Sequence, residues 1–220
     1  MNKKYELTDD TIKYFDSVLH RIRLLRPIGH HKVGELGGYI ESEKNLSHEG
    51  DCMVYDQAMV YGNARVCDNA KVREYAEVSD DAMVYGYAYV HGNSQISSNA
   101  RVYGHAHIHG GATVKGKVHG YASVFGTAYV GSMAEVYRYA CIYGDAIIKG
   151  KVKIQWAEEY YVIRDLHGVE YTWTEPDNMW NCMGFHGTPD EFISMGYECS
   201  EETGKMFELM VRFVKDMKKI

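Results

Sequence analysis

The chain has 220 residues, a formal charge of −6 and an isoelectric point near 6.0. That length suits one elongated body with short appendages, and the acidic balance argues against a general nucleic-acid binder, which carries a basic footprint. No run of about eighteen apolar residues suggests a membrane span, the start MNKKYELTDD lacks a secretory apolar segment, and the five cysteines contain no C-x-x-C pair. A soluble cytoplasmic protein with reduced thiols and no membrane partner is therefore expected. The aromatic content is mostly tyrosine, nineteen against six phenylalanines, which predicts aromatic surface that meets water or a partner.

In chain order, Tyr5–Leu7 and Val18–Leu25 read as strands, the second alternating through Val18, His20, Ile22 and Leu24 with Arg21 and Arg23 opposite. Gly29 and the Gly37-Gly38 pair punctuate the way into the next segment, so residues 1–39 are expected to form an N-terminal β cap. From Cys52 to Ala112 a small residue then recurs every six positions, and two residues after each stands an aliphatic, from Val54 to Val114. The phase slips by two residues within VKGKVHGYA and resumes at Ala122 and Val124, running to Val152 and Ile154. A period of six excludes a helix, and the β-branched position favours extended backbone. Pairs such as Gly62-Asn63, Asp68-Asn69 and Gly104-His105 stand between repeats and suit tight corners. Three strands and three corners close a triangular coil of eighteen residues, and the slip shortens one coil to sixteen.

The small-x-aliphatic array resembles the hexapeptide repeat of left-handed parallel β-helices, the coil shared by many acyltransferases and by γ-type carbonic anhydrases. The flanks LHRIRLLRPIG, GELGGYIESEKNLSHEG and MGFHGTPDEF are similar to a group of hexapeptide-repeat proteins widespread in bacteria and their phages, whose members are commonly labelled transferases or polymer-forming proteins. The resemblance implies a mainly β protein: a left-handed parallel β-helix over residues 40–156, with the β cap before it and a small α/β module, residues 157–220, after it. It also implies phage association, and with that the cytoplasm of the host cell.

In the C-terminal module, residues 159–164 and 169–174 read as a hairpin turning around Asp165–Gly168, and Met179–Phe185 adds a strand. Thr188, Pro189, Asp190 and Glu191 carry the marks of a helix start. Ser200 opens a final helix whose apolar face is expected to be Met206, Leu209, Met210, Phe213 and Met217, with Lys215, Lys218 and Lys219 near its C-terminus. That face is expected to pack on the end of the β-helix.

Acyl transfer on this coil uses a histidine as general base in a cleft between subunits, so His107, His109 and His119 are the candidate catalytic residues, with acyl-CoA as the cofactor of that alternative. No insertion interrupts the hexads from Cys52 to Val114, which leaves little shelter for a reactive intermediate, and a non-catalytic reading is preferred, with no cofactor expected. His91 and His109 stack on successive coils, whereas alternation and a corner separate His105 from His107, so no metal site is expected. Outward residues form columns: Tyr55, Arg73, His91, His109, Phe125 and Tyr143; then Cys67, Tyr85, Tyr103, His119 and Tyr137; then Tyr61, Ser79, Ser97, Lys115, Gly131 and Lys149. The aromatic columns suggest a homotrimer. VKGKV at 114–118 recurs as IKGKV at 148–152, which predicts Lys115 two layers from Lys149 and Lys117 two layers from Lys151. Arg73, His91, His109, Lys115, Lys117, Lys149 and Lys151 are thus the candidate ligand-binding residues, for a small anion such as a nucleotide. The function expected is a binding or scaffold protein that sequesters a nucleotide signal or blocks a host protein to counter host defence.

Overall fold

A computed structural model describes residues 3–165, 168–182 and 184–218. From Leu36 to Ile154 the chain winds as a parallel β-solenoid of about six turns. Each hexad contributes a two-residue strand, and the strands stack into three parallel sheets, one per side of the coil. Ala and Val of the A-x-V phrase both point inward: Ala58, Val60, Ala64 and Val66 are each 0% exposed, and the pattern repeats to Ile154. An inward small residue next to a corner and an inward aliphatic in mid-side fill a narrow triangular core without voids.

Strand pairing confirms the coil lengths. Tyr89 pairs with His107, eighteen residues on, but His107 pairs with Ser123, sixteen on. The shortened corner depends on Gly116, where a β-carbon would lie 2.3 Å from the Gly131 carbonyl oxygen and 2.4 Å from that of Ala134. At most other corners the first residue takes a left-handed φ, and it is not always glycine: Asp56, Asp68, Glu74, Asp80, Ser98 and Arg138 adopt it too. The carboxylates among them repay that conformation by accepting a backbone N–H one coil later, Asp80 Oδ2 from Ser98 at 2.7 Å and Asp68 Oδ2 from Gly86 at 2.9 Å.

The ladder has a polarity that determines what each cap must supply. Most backbone N–H groups at the strand ends and corners donate to the carbonyls of the following coil, as in Met53 to Ala70, Tyr55 to Val72 and Gln57 to Glu74, while the parallel register leaves one bond per side running the other way. The N-terminal end therefore presents mainly carbonyls and the C-terminal end mainly N–H groups. The N-terminal cap answers with donors: Lys4 Nζ to Cys52 O (2.6 Å), the Tyr5 hydroxyl to Leu46 O (2.7 Å) and Arg26 to Gly50 O (2.7 Å). The C-terminal module answers mainly with acceptors: the Tyr160 hydroxyl takes the Tyr143 N–H (3.2 Å) while donating to Cys141 O (3.0 Å), and Thr172 Oγ1 takes the Ile147 N–H (3.0 Å). Lys4 is fully buried, and desolvation lowers its pKa against the opposing pull of Cys52.

The first N-terminal strand runs longer than the sequence suggests, Tyr5–Tyr14, the second lies one residue earlier, Ser17–Leu24, and together they extend one solenoid sheet antiparallel to its edge. Val18 is 50% exposed and Leu19 is buried with Ile22 and Leu24, because irregularities in pairing on both sides of this strand shift the alternation.

In the C-terminal module the strands Tyr160–Arg164, Glu170–Thr174, Met179–Cys182 and Phe185–Gly187 form an antiparallel sheet. Leu166 and His167 of the expected hairpin turn lie outside the described residues, as does Lys219. Helix α1 (Pro189–Cys199) opens with a capping box between Thr188 and Glu191, and α2 (Glu201–Met217) is capped by Ser200. The buried face of α2 differs from the expected one. Phe207, Met210, Val211 and Val214 pack on the small sheet with Tyr171, Trp173, Trp180 and Phe192, in a core separate from the solenoid's. Leu209, Phe213 and Met217 are 65%, 52% and 41% exposed. The helix rotates to give the sheet its β-branched valines and Phe207, and it is the sheet that covers the solenoid end. None of the helices described is long and apolar enough to cross a membrane.

Candidate functional site

One side of the solenoid stacks Met53–Val54, Lys71–Val72, Tyr89–Val90, His107–Ile108, Ser123–Val124 and Cys141–Ile142. Because the valine or isoleucine of each pair points inward, the residues before and after it point outward and form two adjacent columns. The expected column through Arg73, His91 and His109 is present: Arg73 lies over the Tyr55 ring at 5.5 Å, and the centroids of His91 and His109 are 5.2 Å apart, those of His109 and Phe125 4.8 Å. The neighbouring column adds Tyr89 and His107, stacked at 5.3 Å.

His107 joins both columns. Its Nε2 lies 2.8 Å from His91 Nε2, and its ring centroid is 4.6 Å from that of His109. His107 and His109 flank the inward Ile108, so alternation puts both on this face, and with His91 one coil before them three histidines cluster within one chain. The short Nε2–Nε2 contact requires one nitrogen to donate and the other to accept, so the pair cannot keep it with both rings doubly protonated. Glu74 Oε1 lies 3.5 Å from the other His91 nitrogen, which gives a carboxylate–imidazole–imidazole chain. Burial, then the charges of His109 and His91, lowers the pKa of His107; burial, then His91, lowers that of His109. Among the described residues no three metal-ligating side chains converge in a way that would hold an ion.

Toward the N-terminus the same side ends in a pocket of about 260 Å3, where the cap loop Ile28–His31 folds over the first coils. His30, His31, Lys71 and Arg73 line it together with Tyr55 and Asp51. The His31 ring packs on Tyr55 at 4.6 Å, and its Nδ1 is 2.8 Å from Glu35, which holds the loop in place. Only Arg73 of this group was a sequence candidate. The signal for the rest was the RPIGHHK stretch, whose two histidines can be assigned to a site only once the loop is seen to fold back over the coil.

The other candidates lie elsewhere. His119 sits in the column Tyr85, Tyr103, His119, Tyr137, stacked at 4.6 Å on Tyr103 and 3.0 Å from Glu135, which also pairs with Lys153 at 2.8 Å. Lys115 and Lys149 flank Tyr129, each 5.9 Å from its ring, as two layers require. The matching expectation for Lys117 and Lys151 does not hold. Lys117 pairs with Glu135 and Glu135 with Lys153, so the residue two layers from Lys117 is Lys153, with a carboxylate between them. IKGKV, unlike VKGKV, is not a shortened corner: Glu135 N–H donates to Val152 O as Lys117 N–H does to Ala134 O, so Val152 takes the small inward position and Lys151 falls in a corner of normal length. The lysines therefore form no single cationic patch.

Four of the five thiols are poor nucleophiles at neutral pH, since burial pushes Cys52, Cys141 and Cys182 up and, with Asp68 beside it, Cys67 to about 11. Comparison with protein-family models finds no match to this chain, and comparison with curated proteins finds none either.

Proposed function

We propose that the protein is a non-catalytic binding scaffold that assembles as a homotrimer and takes up a small anionic ligand along its histidine side. The observation that carries this reading is the pocket where His30, His31, Lys71 and Arg73 converge and from which the His91–His107–His109 cluster continues. Arg73 offers a planar fork to a phosphate and Lys71 a point charge, while the imidazoles add donors whose number depends on pH. The rings beyond them are stacked face to face, which suits a rigid recognition surface. The phage resemblance makes host-defence interference the specific form: sequestration of a nucleotide signal without turnover, or blockade of a host protein. Native mass spectrometry with a panel of linear and cyclic nucleotides tests it. A nucleotide retained stoichiometrically and released unchanged supports sequestration, and its loss in Arg73→Ala locates the site; a panel that leaves the protein empty overturns nucleotide binding.

A second reading is a CoA-dependent acyltransferase, favoured by the Glu74–His91–His107 chain, in which a carboxylate backs the imidazole that would polarise a base. It requires acyl-CoA turnover that falls at least about a hundredfold in His107→Ala, as general-base removal does.

A further inference from the structure

We propose that the C-terminal module holds a second, independent binding site, for an aromatic monocarboxylate. A cavity of about 380 Å3 opens between its sheet and the C-terminal half of α2. That volume suits a small organic ligand. Trp173, Trp180, Val211 and Val214 make its apolar wall, and the polar groups converge at one end, Lys215, Lys218 and Glu175.

The charges select the ligand's charge. Lys218 Nζ is 2.5 Å from Glu175 and is neutralised by it, whereas Lys215 has no carboxylate partner among the described residues. The rim thus carries one uncompensated positive charge, which matches a monoanion and disfavours a dianion. The wall selects an aromatic body: Lys218 lies 5.9 Å from the Trp173 ring, and Trp180 is stacked on Phe192 at 4.5 Å. The two indoles also differ in satisfaction. Trp173 Nε1 donates to Asn178 at 2.9 Å, but Trp180, 1% exposed, has a buried Nε1 with no partner. That N–H is closed off from the cavity, so recognition rests on the Lys215 charge at the rim and on the apolar wall.

The test uses the full chain and follows the indole N–H resonances of the three tryptophans during titration with 2-naphthoate. Trp156, at the far end of an aromatic ladder, is the internal control. Expected are saturable shifts of Trp173 and Trp180 with Trp156 unmoved, binding at least fivefold weaker for the neutral 2-naphthalenemethanol, and at least fivefold weaker binding in Lys215→Ala, an exposed position whose change leaves the fold intact by circular dichroism. Equal binding of the neutral analogue, unaltered binding in Lys215→Ala, or no saturable shift up to millimolar 2-naphthoate overturns the proposal.

Discussion

Gly116 shows how much one residue decides in a solenoid. The corner it occupies is two residues shorter than its counterparts, and carbonyl oxygens of the next coil take the space of a β-carbon. Both carbonyls are already engaged, that of Ala134 by the Lys117 N–H of the ladder and that of Gly131 by the Ala134 N–H within its own corner, so neither can give way cheaply. Gly116→Val is expected to cost about 3 kcal/mol or more, read as a fall in thermal midpoint, while Lys117→Ala one position on, on the outer surface, shifts it little. The histidine cluster makes a second prediction at this scale. His107 and His109 have folded pKa values below the ordinary 6.5, so the unfolded chain binds more protons in that range. Their contribution is intact above about 6.5 and diminishes as pH falls from there toward the folded values. The thermal midpoint of the native protein is expected to drop between pH 7 and 5.5 more steeply than that of His107→Gln, and parallel slopes for the two would contradict the assignment.

At the level of elements, short strands of two residues hold together because each contributes inward side chains and ladder hydrogen bonds to a continuous stack. The terminal coils are the exception, and the caps complete them with side chains of the right polarity. Thr172→Val removes the acceptor of the Ile147 N–H and keeps the shape; the loss expected is about 1–3 kcal/mol, with Thr172→Ser close to native, both measurable by denaturant unfolding. The rotation of α2 gives a paired test. Phe207→Ala is expected to cost about 3–5 kcal/mol, whereas Phe213→Ser, on the exposed face, stays within about 0.5 kcal/mol. The reverse ranking would restore the face that hydrophobic spacing alone suggests.

For the whole molecule, the polarity of the ladder makes the two ends unlike and mutually complementary: mainly carbonyls at one, mainly N–H groups at the other. Uncapped ends would join head to tail, since such an edge is a template for another chain. Deleting residues 157–220 is expected to produce concentration-dependent association seen by light scattering, where the full chain keeps a constant mass. Lateral assembly is a separate question of the exposed rings. Tyr87, Tyr121, Tyr139 and Tyr143 are 53–63% exposed in the single chain, which is the surface our homotrimer would bury. Sedimentation analysis is expected to give three times the chain mass, and a monomer would confine the function to one solenoid.

The six-residue phrase by itself determined the solenoid, its coil length, the shortened coil and the columns through Arg73, His91 and His109, because in a stacked coil sequence separation converts directly into position. The helix starts at Thr188 and Ser200 were legible for a similar reason: caps are local chemistry. Tertiary structure decided whatever depended on a surface brought from elsewhere in the chain. The face of α2 was set by the small sheet it meets, the lysine pairing by which residue of a repeated phrase fell inside the coil, and the meeting of His30 and His31 with Lys71 and Arg73 by a cap loop that folds back across the first coils. Periodicity carries no information about such encounters, because they depend on the shape of a partner surface and not on spacing along the chain.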